Sequence, residues 1–157
     1  MAVLDLGSGE GRFALPAARV ASKVHAVDLS DEAVKYLLEE ASRLGLDNVT
    51  ASVADISGDL GLDGEFDFAI MSNVLHGLAL SEAADRALEN ARKALRPGGV
   101  LLVVEFKPEA GSPPGPPANM RISRDDVVRL ASRHGFEPVD SFEAGPFHYA
   151  VVLRRTR

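Results

Sequence analysis

The chain has 157 residues, enough for one domain with a sizeable core. Apolar residues make up 46%, charged residues 25%, and the formal net charge is -6, so non-specific attraction to nucleic acid phosphates is not expected and a nucleic acid partner is disfavoured. There is no cysteine, which removes disulfides, thiolate metal sites and cysteine nucleophiles together.

Apolar runs alternate with amphipathic stretches along the chain. Val3-Leu4 begins a short strand, and Val24 to Val27 is a second. Pro16 lies in the first helix between them and is tolerated there only near its first turn. Ser30 reads as an N-cap, with Asp31 and Glu32 favourable to the first-turn dipole. Val34, Leu37, Leu38, Ala41 and Leu44 follow at helical spacing, and Gly45 stops the helix. Val49, Ala51 and Val53 alternate as a third strand, and Phe66 to Met71 form a fourth. Ser81 caps a helix with Ala84, Leu88, Ala91 and Leu95 on one face. Arg96-Pro97-Gly98-Gly99 is a turn, and Val100 to Val104 is apolar at every residue, as expected of a central strand covered on both faces.

Residues 107 to 122 form a proline- and glycine-rich loop, readable as a lid or as a stiff spacer. Ser123 caps the next helix, and Gly135 stops it. The last two strands, Glu137 to Phe142 and Phe147 to Leu153, are separated by about four residues, which permits a hairpin but not a parallel crossover. The pattern predicts a single α/β domain over residues 1–157. Its sheet is doubly wound, seven-stranded and mostly parallel, with an antiparallel last strand. No apolar run approaches the ~20 residues that span a bilayer, and the N-terminus is no secretory signal, so the expected location is cytoplasmic.

Asp5-Leu-Gly7-Ser-Gly9-Glu-Gly11 lies between the first strand and the first helix. Glycines here let the chain turn sharply and let a ligand approach the main chain. A dinucleotide loop would need glycine at position 12, which is Arg12, so a nucleoside ligand suits the spacing better than NAD. Asp28 ends the second strand, where a carboxylate can accept both ribose hydroxyls, and Asp55 ends the third. Asp5, Asp28 and Asp55 are thereby expected along one carboxyl edge of the sheet.

These residues resemble the Rossmann-like (class I) S-adenosylmethionine-dependent methyltransferases over essentially the whole chain. VLDLGSGEGRF is similar to their first motif, Asp28 to their ribose-binding acid, and Ala54-Asp55-Ile56 to the segment that brackets adenine. Phe66 to His76 resembles their fourth-strand motif, and Leu95-Arg-Pro-Gly-Gly-Val100 the turn before their fifth strand. The late segments resemble a small prokaryotic subgroup of unassigned substrate. The resemblance implies S-adenosyl-L-methionine as cofactor, leaving S-adenosyl-L-homocysteine, and direct in-line transfer to a small-molecule acceptor. Asp5, Gly7 and Gly9 would lie near its methionine part, Asp28 and Leu29 would hold ribose, and Asp55 and Ile56 would meet adenine. Ser72, Asn73 and His76 would lie close to the transferred methyl, His76 as a base or merely as a loop cap. A non-catalytic cofactor- or partner-binding member of the fold is the alternative.

No metal site is expected from four histidines without paired ligand spacing. His148 and Tyr149, by alternation, point to opposite faces, so at most one faces a pocket. Lys107 and Arg121 flank the long loop and read as anion-recognising or simply solvated. The resemblance also implies a helix ahead of the first motif, and here the motif starts at residue 3, so the fold is expected to lack it. Apolar surface beside the ligand edge is then expected to be covered by loop 107–122 or by a second copy in a two-fold dimer.

Overall fold

The structure, a computed structural model, describes residues 1–79 and 81–157. Its strands are β1 (Ala2–Leu6), β2 (Lys23–Asp28), β3 (Val49–Val53), β4 (Phe66–Ser72), β5 (Leu95–Phe106), β6 (Phe136–Glu143) and β7 (His148–Arg155). Its helices are α1 (Ala14–Ala18), α2 (Asp31–Arg43), α3 (Glu82–Ala94) and α4 (Arg124–Ser132). All seven strands form one sheet in the order β3-β2-β1-β4-β5-β7-β6, with β7 antiparallel to both its neighbours. The doubly wound α/β reading is thus met, and β1 begins at Ala2, ahead of any helix. The strand order reverses between β1 and β4, which is where such sheets bind ligands.

Local chemistry sets the helix starts. The hydroxyls of Ser30, Ser81 and Ser123 each accept a bond from a first-turn amide, those of Ala33, Ala83 and Asp126. The buried stripe of α2 is Val34, Leu37 and Ala41, and that of α3 includes Ala84, Leu88 and Ala91, as the 3.6-residue period requires. The Arg96–Gly99 turn lies inside β5 rather than before it. Leu95 pairs with Phe66, Val100 pairs with Phe68, and the four residues between them loop out of the ladder, with Gly98 at φ 79°.

The two faces of the sheet are covered differently. Helices α3 and α4 bury Leu4, Leu6, Met71, Leu101, Val103 and Val151 in the larger core. On the opposite face Val3, Val24 and Ala26 pack with Ala14, Ala18 and Leu37 of α1 and α2. Further along that face, Leu102, Val104 and Ala150 join neither core and line a cavity instead. Loop 107–122 does not cover them. The guanidinium of Arg121 gathers this loop by donating to the carbonyls of Lys107, Ala110, Gly111, Pro114 and Pro116. Lys107 pairs with Glu143 at 3.0 Å, so neither cation stands free for an anion. No helix among the described residues is long and apolar enough to cross a membrane.

Candidate cofactor and acceptor site

The loop after β1 is tied to β2 by its own backbone. The amides of Gly7 and Ser8 donate to the Val27 carbonyl at 2.7 and 3.1 Å. The Gly9 amide donates to Asp28 Oδ2 at 2.8 Å, and the Ser30 amide donates to Asp28 Oδ1 at 2.9 Å. The loop glycines serve different ends. A Cβ on Gly7 would meet Val74 at 2.9 Å and one on Gly11 would meet Leu15 at 2.9 Å, so both are needed for packing. A Cβ on Gly9 would meet nothing within 4 Å, although its φ is 54°. Gly9 therefore faces open space at the mouth of a cavity of about 270 Å³, lined also by Asp5, Ser8, Ser72 and Asn73.

That cavity holds unmet hydrogen-bonding capacity. Among the described residues, the buried side-chain atoms without a partner are Asp5 Oδ2, Ser8 Oγ and Asn73 Oδ1, and all three residues line it. Buried polar groups are normally satisfied, so three orphans around one space point to a polar ligand there. Asp5 is only 1% exposed, and burial, followed by the nearby Asp28, pushes its carboxyl up to about 7. Asn73, just past β4, holds the uncommon φ of 56°, and its amide donates to the Val104 carbonyl at 2.8 Å.

The remaining predicted residues spread along the same edge and beyond it. Leu29 is 72% exposed beside Asp28. Asp55 lies two residues past β3, and its Oδ1 accepts from the amide and hydroxyl of Ser57, which lowers its pKa. The Ala54 amide donates to the Asp28 carbonyl at 2.9 Å, so the two acidic corners are linked through main chain. The Ile56 side chain is buried in the larger core, and its carbonyl accepts from Asn90 Nδ2 at 2.7 Å. Asp55 and Ile56 are not among the lining residues of the 270 Å³ cavity.

His76 goes elsewhere. Its Nδ1 lies 2.8 Å from Glu105 Oε1, and the other oxygen of Glu105 accepts from the amides of Leu75 and His76 at 3.0 and 3.4 Å. The hydrogen bond to Glu105 raises the His76 pKa. His76 borders a cavity of about 420 Å³ with Met120, Ile122 and Leu130, which shares no residue with the one at the glycine loop. Glu105 escaped the sequence reading, although one acid inside the apolar run Val100 to Phe106 is itself a signal. The expected alternation holds, since Tyr149 turns to the core and donates to the Ile122 carbonyl at 2.6 Å. His148 turns to the other face, with its Nε2 3.4 Å from Asn73 Nδ2.

A seven-stranded sheet with a reversed β7 and a glycine loop at its switch point defines the Rossmann-like methyltransferase fold. A methyltransferase-domain family model matches residues 1–137, and the chain belongs to that family. It is 30% identical over 132 residues to the 2-heptyl-1-hydroxyquinolin-4(1H)-one methyltransferase of Mycobacteroides abscessus, covering 84% of this chain and 57% of that one. The chain thus spans a little over half of that relative, and 26% of the ribosomal protein L11 methyltransferase of Lactobacillus johnsonii, which is 35% identical over 86 residues. Among solved structures it is similar to an S-adenosylmethionine-dependent methyltransferase from Aquifex aeolicus, with a TM-score of 0.88 and 26% identity, covering 99% of this chain and 82% of that one. It is also similar to the 1,6-didemethyltoxoflavin-N1-methyltransferase of Burkholderia thailandensis, solved with 1,6-didemethyltoxoflavin and S-adenosylhomocysteine bound. There the TM-score is 0.77 and the identity 26%, covering 99% of this chain and 71% of that one.

Proposed function

We propose that residues 1–157 act as one S-adenosylmethionine-dependent methyltransferase domain whose acceptor is a small molecule, working in the cytoplasm. One observation carries this reading: three unpartnered buried polar atoms surround a cavity into which Gly9 alone leaves room for a ligand. The residues suit the cofactor. Asp5 offers a buried carboxylate to the ammonium of its methionine part, and Asn73 offers an unpartnered amide oxygen. Asp28 keeps its two oxygens aimed by backbone amides and has lone pairs left for ribose hydroxyls. Leu29 supplies exposed apolar surface next to it, and Asp55, two residues past β3, is assigned to the adenine amine with Ile56 beside it.

The cofactor supplies a methyl group already activated on a sulfonium. The chain's task is to orient the acceptor and exclude water, and positioning of this kind contributes up to ~7–11 kcal/mol in well-aligned systems. A small acceptor is supported by the names of the Mycobacteroides and Burkholderia relatives, which both specify ring compounds. The non-catalytic alternative draws on the engagement of His76 with Glu105, which takes that base away from the glycine-loop cavity. Calorimetry with S-adenosylhomocysteine and with NAD, followed by labelled-methyl transfer to a panel of small hydroxylated and amino ring compounds, tests the reading. Tighter binding of NAD would overturn it, and cofactor binding without transfer to any acceptor would favour the alternative.

A further inference from the structure

Beside the glycine-loop cavity lies another of about 410 Å³, and the two share Arg12, Phe13, Ser72 and Asn73. Its apolar lining comes from the sheet: Leu102 and Val104 of β5, Ala150 of β7 and Phe142 of β6. An apolar lining of this size suits a ring or a hydrocarbon chain. Its polar groups carry no negative charge. Arg12 is exposed and has no ion pair among the described residues, and the others are Ser72, the Asn73 amide and the His148 ring. No carboxylate is among its lining residues. An ammonium entering here would meet a cation and no counter-charge, whereas an anion would meet Arg12.

We propose that this cavity receives the methyl acceptor, that the acceptor is an apolar ring compound bearing a weakly acidic hydroxyl, and that His148 takes the proton of that hydroxyl. The proposal rests on the methyltransferase reading above. In the step, the O–H bond breaks, its electron pair stays on oxygen, and the proton moves to Nε2 of His148, which later releases it to water. The resulting oxyanion lies against Arg12. The ring of His148 is held for this. Its centroid is 4.1 Å from that of Phe106, and Phe106 is itself covered by the Arg121 guanidinium at 5.2 Å and by Gly115, where a Cβ would come within 2.6 Å of the ring. The contact of Nε2 with Asn73 is long for a hydrogen bond, so an incoming hydroxyl displaces it at small cost. Three charged groups act on His148 through space: Arg12 from the glycine loop and Arg121 from loop 107–122 on its own side, and Glu105 of β5 from the opposite face of the sheet. Burial first, then Arg12, keep its pKa below the ordinary histidine value, and the ring is neutral and able to accept a proton near pH 7.

The probe is 7-hydroxycoumarin, whose phenol and phenolate absorb at separate wavelengths. It is titrated into the chain with and without saturating S-adenosylhomocysteine. The expected result is a bound dye that is phenolate at a pH where the free dye is phenol, with 7-methoxycoumarin binding about tenfold more weakly or worse. His148→Asn and His148→Gln should each abolish the ionisation while the chain still binds S-adenosylhomocysteine in calorimetry. Binding of the dye as neutral phenol, survival of the shift in both variants, or no dye binding to a chain that binds S-adenosylhomocysteine would each overturn the proposal. Failure to bind S-adenosylhomocysteine would instead overturn the methyltransferase reading, and the titration without it still decides whether His148 ionises the dye.

Discussion

The amide of Gly9 donates to Asp28 Oδ2 at 2.8 Å, across 19 positions of sequence. The loop after β1 and the acid at the end of β2 are therefore one structural unit. The carboxylate proposed to face the ribose also anchors the amide of the glycine that borders the cavity. Its other oxygen is anchored by the Ser30 amide, which ties the same unit to the start of α2.

Asp28→Ala should weaken S-adenosylhomocysteine binding tenfold or more, since a hydrogen bond to a charged group is worth ~1.5–3 kcal/mol. Part of that loss comes through the loop, because the Gly9 and Ser30 amides lose their acceptor. Asp28→Asn keeps one acceptor oxygen and should fall between alanine and the native residue. Calorimetry decides, and equal affinity in all three proteins would show that the ribose lies elsewhere.

Gly9→Leu should abolish cofactor binding with the fold intact. The new side chain meets no protein atom at its Cβ and grows into the cavity, while φ at 54° costs it about 1–2 kcal/mol. Gly7→Ala should behave differently. Its Cβ collides with Val74, so thermal stability should fall together with binding. A Gly9→Leu protein that binds S-adenosylhomocysteine normally would remove Gly9 from the site.

Asp5 makes binding depend on pH. Its folded-state pKa is about 7 against an ordinary 3.8, and a ligand ammonium pairs only with the ionised form. Affinity for S-adenosylhomocysteine should rise with pH and level off above about 7, with a proton released on binding at about pH 6. The sign for stability is the reverse. The unfolded chain ionises first, so the ligand-free protein loses stability as pH rises from about 4 to 7 and then holds level. Asp5→Asn should flatten both curves. Melting curves and calorimetry in buffers of different ionisation heat test this, and an affinity independent of pH would refute it.

Much of the fold was legible because its signals are local. Serines 30, 81 and 123 capped helices as expected, and the four-residue link before His148 forced a hairpin. The turn after β1 was legible because Gly7, Gly9 and Gly11 all hold positive φ, and Asp28 stands where the sequence ends β2. The site's other half was not. His148 lies 75 positions from Asn73, and only the antiparallel register of β7 on β5 brings the two together. Glu105 was hidden because the strand was read only as far as Val104, whereas β5 runs on to Phe106, and the acid is tolerated there because His76 and two amides, 29 and 30 positions away, satisfy it. Arg121 looked like a surface cation, and nothing in the sequence shows that five carbonyls of its own loop would surround it.

Glu105 and His76 give the last prediction. Glu105 is 1% exposed, and its two oxygens satisfy the His76 ring and the amides that begin the turn after β4. Removing one member of a buried pair leaves the other unpartnered, which typically costs ~3–5 kcal/mol. Glu105→Ala should therefore lower the melting temperature by roughly 10 °C, at about 2–4 °C per kcal/mol for a chain of this size. Glu105→Gln should cost less, since it keeps the shape and one acceptor. The His76 pKa is raised by Glu105, so the stability this pair contributes is fully present below the ordinary histidine value of 6.5. It is lost as pH rises through the higher folded value. The native melting temperature should show a downward step in that window, and the step should be absent in Glu105→Gln. The same variants bear on catalysis. Neither residue borders the glycine-loop cavity, so S-adenosylhomocysteine affinity should survive Glu105→Gln. A His76→Gln protein that folds and binds cofactor, yet loses methyl transfer with a changed pH profile, would restore His76 to the chemistry. One that loses only stability would confine it to positioning the turn after β4.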